Sequence, residues 1–299
     1  MLFAWSSASY VVPLPDGHRF PMAKYRLVKE RVIAEGILPE DRVLEPERAS
    51  AEDVRLVHST RYVHDIDTGT LDGAAVRRLG FPWSPGLVER SYRSVGGTLA
   101  AAVAALEHGV AINLSGGTHH AFADHGEGFC VFNDVAIAIR VLQRDARLTR
   151  AIVIDLDVHQ GNGTNAIFAG DDRVFTLSMH GAKNYPFHRV AGRVDIEMPD
   201  GAGDDLYLDA LAHVLPDALC AARAEIAVYL AGADVLAGDR LGRLRLTLSG
   251  MARRDAMVLD ACREVGLPVA IVLGGGYGAR LDDTVDGHVQ TVRLAAHSA

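Results

Sequence analysis

AIVIDLDVHQGNG, residues 151–163, is the stretch on which the reading of this chain turns. It opens with Ile152, Val153 and Ile154, apolar and β-branched, the composition of a strand buried on both faces. Polarity then changes within one residue. Asp155, Asp157 and His159 come at every second position, and strand side chains alternate between faces, so all three point the same way at the strand's end. Two carboxylates and an imidazole beside a buried strand are costly unless a cation neutralises them, and a divalent metal meets that need. Gly161 and Gly163 then let the chain turn toward a helix. An isolated D-x-D-x-H fits a solvated strand end equally well, so the rest of the chain must choose between the two readings.

Working outward, 299 residues with 49% apolar side chains are ample for a large core. Apolar periodicity predicts helices over 22–35, 52–57, 60–67, 91–108, 135–148, 205–223, 249–265 and 283–296, with a short helical turn at 164–168. Strands are expected at 111–114, at the start of 151–163, and at 174–179, 226–230 and 269–273. FPWSPG, residues 81–86, reads as a loop, and 180–204 as a long irregular one. Strands alternating with helices predict an α/β fold: a mostly parallel sheet with helices on both faces. With no linker and no internal repeat, residues 1–299 are expected to form one domain.

The unusual residues fall in loops that each follow an expected strand: the His119-His120 loop, 155–162, 231–242 and 274–278. In open parallel sheets the site lies outside the carboxyl ends of the strands, where these loops would converge. Asp157 and His159 offer two metal ligands. Asp239, in a Gly-flanked loop, is the best third, with Asp234, nearer its strand, as competitor. Three protein ligands leave a position of tetrahedral zinc open for water, and the imidazole disfavours an all-oxygen magnesium site. Tandem histidines in a Gly-rich loop suit general bases, with Asp155 and Asn162 as the groups that orient them. Three glycines precede Tyr277 and present its hydroxyl as an oxyanion donor. Gly274-x-Gly276-x-x-Ala279 also matches a dinucleotide fingerprint, but one helix ends the chain where that motif needs a further strand and an acidic residue.

SGGTHHAFADHGEGFCVFND (115–134), IDLDVHQGNG (154–163), AGADVLAGDRLG (231–242) and LGGGYG (273–278) are similar, in this order, to four signature segments of the zinc-dependent histone deacetylase family. That family belongs to the arginase/deacetylase superfamily, and the likeness runs from His18 to Tyr277. Gln160 and Asn162 resemble its class IV branch, and the superfamily also holds bacterial acetylpolyamine amidohydrolases and acetoin-utilisation-type proteins. The resemblance implies a single-domain arginase/deacetylase fold with an eight-stranded sheet. It implies zinc on Asp157, His159 and Asp239, catalysis by His119, His120 and Tyr277, and an acyl channel walled by Gly128, Phe129, Tyr185 and Leu246. It implies a structural potassium near Asp155, Asp157, His159, Ser178 and Met179. Cys130, beside the channel motif, is expected to be a buried filler. The implied activity is removal of an acetyl or longer fatty acyl group from an acylated lysine peptide or small acyl-amine. An acetylpolyamine hydrolase and a non-catalytic acyl-lysine binding module are the alternatives. A neutral Asn162 behind His120 supports a histidinium less well than a carboxylate would.

Net charge is −8, from 30 basic and 38 acidic residues, and without a long basic run it argues against nucleic acid as a partner. Arg240, Arg243, Arg245, Arg253 and Arg254 cluster in sequence and are expected to form a solvated face. Cys130, Cys220 and Cys262 lack a C-x-x-C, which fits a reducing compartment. No targeting segment and no apolar run of about 18 residues is seen, so a cytoplasmic protein without a membrane span is expected. The channel is expected to be mainly apolar.

Overall fold

The computed structural model describes residues 1–299. Its strands are β1 (Ala4–Trp5), β2 (Val43–Leu44), β3 (Val110–Asn113), β4 (Ala151–Asp155), β5 (Val174–Gly181), β6 (Val194–Met198), β7 (Ile226–Leu230) and β8 (Val269–Val272). They join one eight-stranded sheet in the order β2-β1-β3-β8-β7-β4-β5-β6. Every pairing is parallel. The helices are α1 (Lys24–Ala34), α2 (Ala51–Val54), α3 (Thr60–Thr68), α4 (Gly73–Leu79), α5 (Pro85–His108), α6 (Asp134–Arg144), α7 (Asn162–Ile167), α8 (Asp204–Ala222), α9 (Leu248–Glu264) and α10 (Leu281–Ser298). None is long and apolar enough to cross a membrane.

The unbroken apolar runs of β3, β4, β7 and β8 are buried along their whole length, as a sheet covered on both faces requires. Alternate residues feed two cores. Ile152 and Ile154 of β4, with Ala227 and Tyr229 of β7, pack under α1, α8, α9 and α10. Ala151 and Val153, with Ile226 and Val228, pack under α5 and α6. A third cluster, built around Tyr62, Phe81, Tyr92 and Phe132, lies beside the sheet and meets Phe129 and Tyr277 at its edge.

The sheet order places the site. The chain passes from β3 to β4 and leaves a gap that β7 and β8, last in sequence, later fill. So β3, β8, β7 and β4 are contiguous at the centre, and they are the four strands followed by the unusual loops.

Several elements differ from expectation. β1 and β2 have two residues each, too few for periodicity to register. β6, an edge strand with mostly half-buried residues, crosses the stretch expected to be irregular. α4, unanticipated, starts at Asp72, whose carboxylate accepts from Ala75 N at 2.7 Å, and stops at left-handed Gly80. α5 begins inside the expected loop, because Ser84 Oγ accepts from Leu87 N at 3.1 Å and Pro85 occupies the first turn, where its missing N–H costs nothing.

Candidate active site

β4 ends at Asp155, and the chain continues through Asp157 and His159 at the carboxyl edge of the sheet. β7 ends at Leu230, and Asp234 follows within a turn. Asp157, His159 and Asp234 each offer an atom within 4.8 Å of the others, and all are buried. His159 Nδ1 lies 2.9 Å from Asp157 Oδ1 and 3.2 Å from Asp234 Oδ2. Backbone amides occupy the remaining oxygens: Gly275 N donates to Asp157 Oδ2 at 2.7 Å and Val158 N to Asp234 Oδ1 at 3.0 Å. Asp234 Oδ2 makes no hydrogen bond although it is fully buried. Burial and the neighbouring Asp157 charge raise the Asp234 carboxyl above the usual carboxylate range. A Cβ at Gly275 would lie 1.7 Å from Asp234 Oδ2, so only glycine lets this backbone close over the cluster. Two dry carboxylates, one with an orphan oxygen, and an imidazole form a donor set that fits a divalent metal.

Asp239 is not part of that cluster. Its Oδ1 accepts from Leu241 N and Gly242 N at 2.8 Å each, and its Oδ2 accepts from Tyr277 N at 2.6 Å. The reason is distance along the loop. Asp234 stands at the strand end, whereas residues 235–238 carry Asp239 away to a half-buried position, where it ties this loop to the one bearing Tyr277. Asp234, and not the expected Asp239, is the residue that joins Asp157 and His159 in the buried cluster.

The tandem histidines divide. His119 Nδ1 is 2.6 Å from Asp155 Oδ2, and its Nε2 is 3.9 Å from Asp157 Oδ1. Burial opposes charge on His119, but the Asp155 and Asp157 carboxylates outweigh it and push its pKa up to about 9. His120 moves the other way, held well below the ordinary imidazole value by burial and then by the charges of His119 and His159. His120 Nδ1 lies 2.8 Å from Asn162 Oδ1, and Asn162 Nδ2 donates to Glu127 Oε1 at 2.7 Å. The Glu127 carboxylate can only accept, so it fixes the amide's orientation. His120 Nδ1 must then donate, which leaves Nε2 with its lone pair. His120 lines the cavity.

That cavity, about 790 Å³, has Gly128, Phe129, Tyr185, Leu241 and Tyr277 in its walls, with His120 and His159. The His120 ring is 5.0 Å from that of Tyr185, and the His159 ring 6.3 Å from that of Tyr277. Phe129 sits at φ +67°, a strained backbone for a non-glycine residue that turns its ring into the wall. Burial pushes the Tyr277 hydroxyl well above its ordinary pKa, so it is a neutral donor. Leu246 is not in the wall. It is fully buried in the main core and Leu241 takes the channel position, shifted by the same loop path that displaces Asp239. Nor is the lining mainly apolar: Arg19, Arg77, Arg78, Lys183, Arg240 and Arg243 surround the aromatic walls. The expected arginine cluster therefore splits, with Arg254 buried against Asp255 at 2.7 Å and Arg245 and Arg253 exposed.

A family model described as the histone deacetylase domain matches residues 18–292. The chain belongs to the histone deacetylase family. Histone deacetylase 2 of Arabidopsis thaliana is 35% identical over 269 residues, spanning 87% of this chain and 70% of its own. An uncharacterised protein of Picosynechococcus sp. is 45% identical over 286 residues, spanning 96% of this chain and 95% of its own. The crystal structure of the HDA15 HD domain superposes with a TM-score of 0.83 at 22% identity, covering 99% of this chain and 89% of that one, and shows the shared fold. Membership of this family supports a deacetylase hydrolase.

Lys24, Glu127 and His18, which also shape the cavity surroundings, carry little signal in the sequence. Lys24, in the first turn of α1, is fully buried. Its Nζ donates to Gly274 O and Gly275 O at 3.2 and 3.3 Å and lies 5.3 Å from the centre of the Tyr277 ring, bracing the glycine loop. A lysine on the apolar face of α1 was the only signal. Glu127 restores a carboxylate one residue behind His120, a pairing invisible across 35 positions of sequence. His18 Nδ1 accepts from Phe20 N and its Nε2 donates to Gly80 O, which sets the ring flat against Phe81 at the cavity mouth. Asp155 and Ser178 are register partners on β4 and β5, with Met179 next along β5. Cys130 is buried, and all three cysteines are free thiols.

Proposed function

We propose that the chain removes an acetyl or longer fatty acyl group from an acylated lysine, using one zinc ion held by Asp157, His159 and Asp234. The observation that carries this reading is the buried Asp-His-Asp cluster, with its orphan Asp234 oxygen, beside His120 and Tyr277 on one cavity. Zinc, when bound, supplies a Lewis acid for the amide carbonyl and lowers the pKa of its water toward about 7. The residues of the chain do the rest. His120 Nε2 takes a proton from the attacking water, which it can do because burial and His119 keep it neutral. Tyr277 donates to the carbonyl oxygen as negative charge develops there. The water oxygen joins the acyl carbon, the C–N bond breaks, and His120 returns its proton to the departing amine. His119, cationic against Asp155, stands behind His120 and orders the field without lining the cavity. Phe129 and Tyr185 flank the acyl-lysine stem. The expected potassium would brace the strand ends around Asp155, Asp157, His159, Ser178 and Met179.

An acetylpolyamine is the weaker substrate, because a chain of amines would meet six cations at the mouth. The test is kcat/KM for acetyl, octanoyl and myristoyl forms of one lysine peptide, beside an acetylpolyamine, on protein of measured zinc content. Turnover of the lysine series with one zinc per chain is expected. Failure of all four with zinc bound would overturn the hydrolase reading in favour of a binding module.

A further inference from the structure

Arg19, Arg77, Arg78, Lys183, Arg240 and Arg243 line the mouth of the active-site cavity, and no aspartate or glutamate does. All six are exposed. Arg243 pairs with Asp200 at 3.1 Å, and the other five form no ion pair within the chain. Arg77 and Arg78 close the last turn of α4, where a helix dipole alone would favour cations. The remaining four stand on irregular segments after Gly17, β5 and β7, where no dipole accounts for them. The concentration is also against the trend of a chain with net charge −8.

We propose, building on the deacylase reading above, that the natural substrate is an acyl-lysine within an acidic peptide, with Asp or Glu on both sides of the modified residue. The cations come from separate segments around the mouth, so they suit charges spread along a chain. A compact anion would call for a convergent fork of donors. Phe187, 83% exposed and edge-on to Tyr185, gives the peptide an apolar surface beside the opening. A lysine- and arginine-rich peptide would bring like charges together here, and the mouth would select against it.

The probes are fluorescein-labelled nonapeptides centred on Nε-acetyl-lysine, flanked by Glu, Gln or Lys, read by anisotropy and by kcat/KM on zinc-loaded protein. Several exposed pairs acting together should make the Glu peptide bind about tenfold more tightly than the Lys peptide at low salt. The ratio should shrink toward parity near roughly 0.5 M NaCl. Combining Arg77→Gln, Arg78→Gln and Arg240→Gln should erase most of it, and a ratio taken within one protein does not depend on the active fraction. Equal binding of all three peptides, or preference for Lys, overturns the proposal; turnover of any of them then leaves the deacylase reading standing. Glu preference in binding without turnover of any peptide supports the anionic partner and sinks the deacylase reading. Displacement of the Glu peptide by pyrophosphate at matched ionic strength, with Glu and Gln peptides bound alike, points to a compact anion and overturns the peptide assignment.

Discussion

Asp234 and Asp239 share one loop and do different work. Asp234 faces Asp157 and His159 with an unsatisfied oxygen, whereas Asp239 is saturated by backbone amides, that of Tyr277 among them. Asp234→Ala should therefore lose bound zinc and all turnover. Asp239→Ala should keep its zinc and lose kcat, because the loop presenting Tyr277 is released. Zinc content by elemental analysis separates them, and the opposite pattern would reverse the assignment. Tyr277→Phe removes one oxyanion donor and should cost about 10²–10³-fold in kcat with zinc retained; a loss within roughly threefold would remove Tyr277 from the chemistry. The pH profile follows from His120. Its neutral form is the base, so activity falls as pH drops through its pKa. Burial and His119 hold that pKa below the ordinary value of about 6.5, so the acid limb of kcat/KM should lie below pH ~6.5. His119→Asn removes a neighbouring cation and should move the limb upward; a limb that stays put would show that another group titrates.

At the scale of elements, α5 does the packing that holds the His119-His120 loop. Gly96 lets the helix touch the 47–49 segment: a Cβ there would lie 1.9 Å from Glu47 O, a backbone atom that cannot swing aside. Beside it, Asn113 Nδ2 at the end of β3 donates to Ser94 O of α5 and to Thr98 Oγ1. Gly96→Ala would gain about 1 kcal/mol of helix propensity, yet overpacking typically costs about 1–3 kcal/mol and a backbone clash lies at the upper end. A net loss of stability is expected, seen as a lower denaturation midpoint at unchanged m-value. A midpoint that rises would mean that the 47–49 segment gives way freely.

At the scale of the whole molecule, the Asp157-His159-Asp234 cluster joins the loops after β4 and β7, and its carboxylates are buried close together. A ligand that binds only the folded chain stabilises it by about 4 kcal/mol at a thousand times its Kd. Zinc-loaded protein should therefore melt well above chelator-stripped protein, and Asp234→Ala should show no such difference. Equal melting of loaded and stripped wild-type protein would argue against a site built into the fold.

Strand and helix identity was legible wherever burial imposes a period. The runs in β4 and β7 are apolar without interruption because both sheet faces are covered, and such runs read as strands on their own. The loops after β3, β4, β7 and β8 were legible because histidines, carboxylates and glycine clusters are costly in a plain connector. β1 and β2 were not, since two residues carry no period, and strands that short exist only because β3 offers an edge to β1 and β1 in turn offers one to β2. Local residue type named Asp157, His159, His120 and Tyr277, whereas the loop's sequence favoured Asp239 over Asp234, and the resemblance pointed to Leu246 where Leu241 lines the cavity. Those choices depend on where the chain runs after β7, which the Asp239 carboxylate fixes by accepting from Gly242 N in its own loop and from Tyr277 N in a distant one. The cationic mouth lay beyond the sequence for the same reason. Arg19, Arg77, Lys183 and Arg240 are scattered along the chain, and only folding brings their charges to one opening.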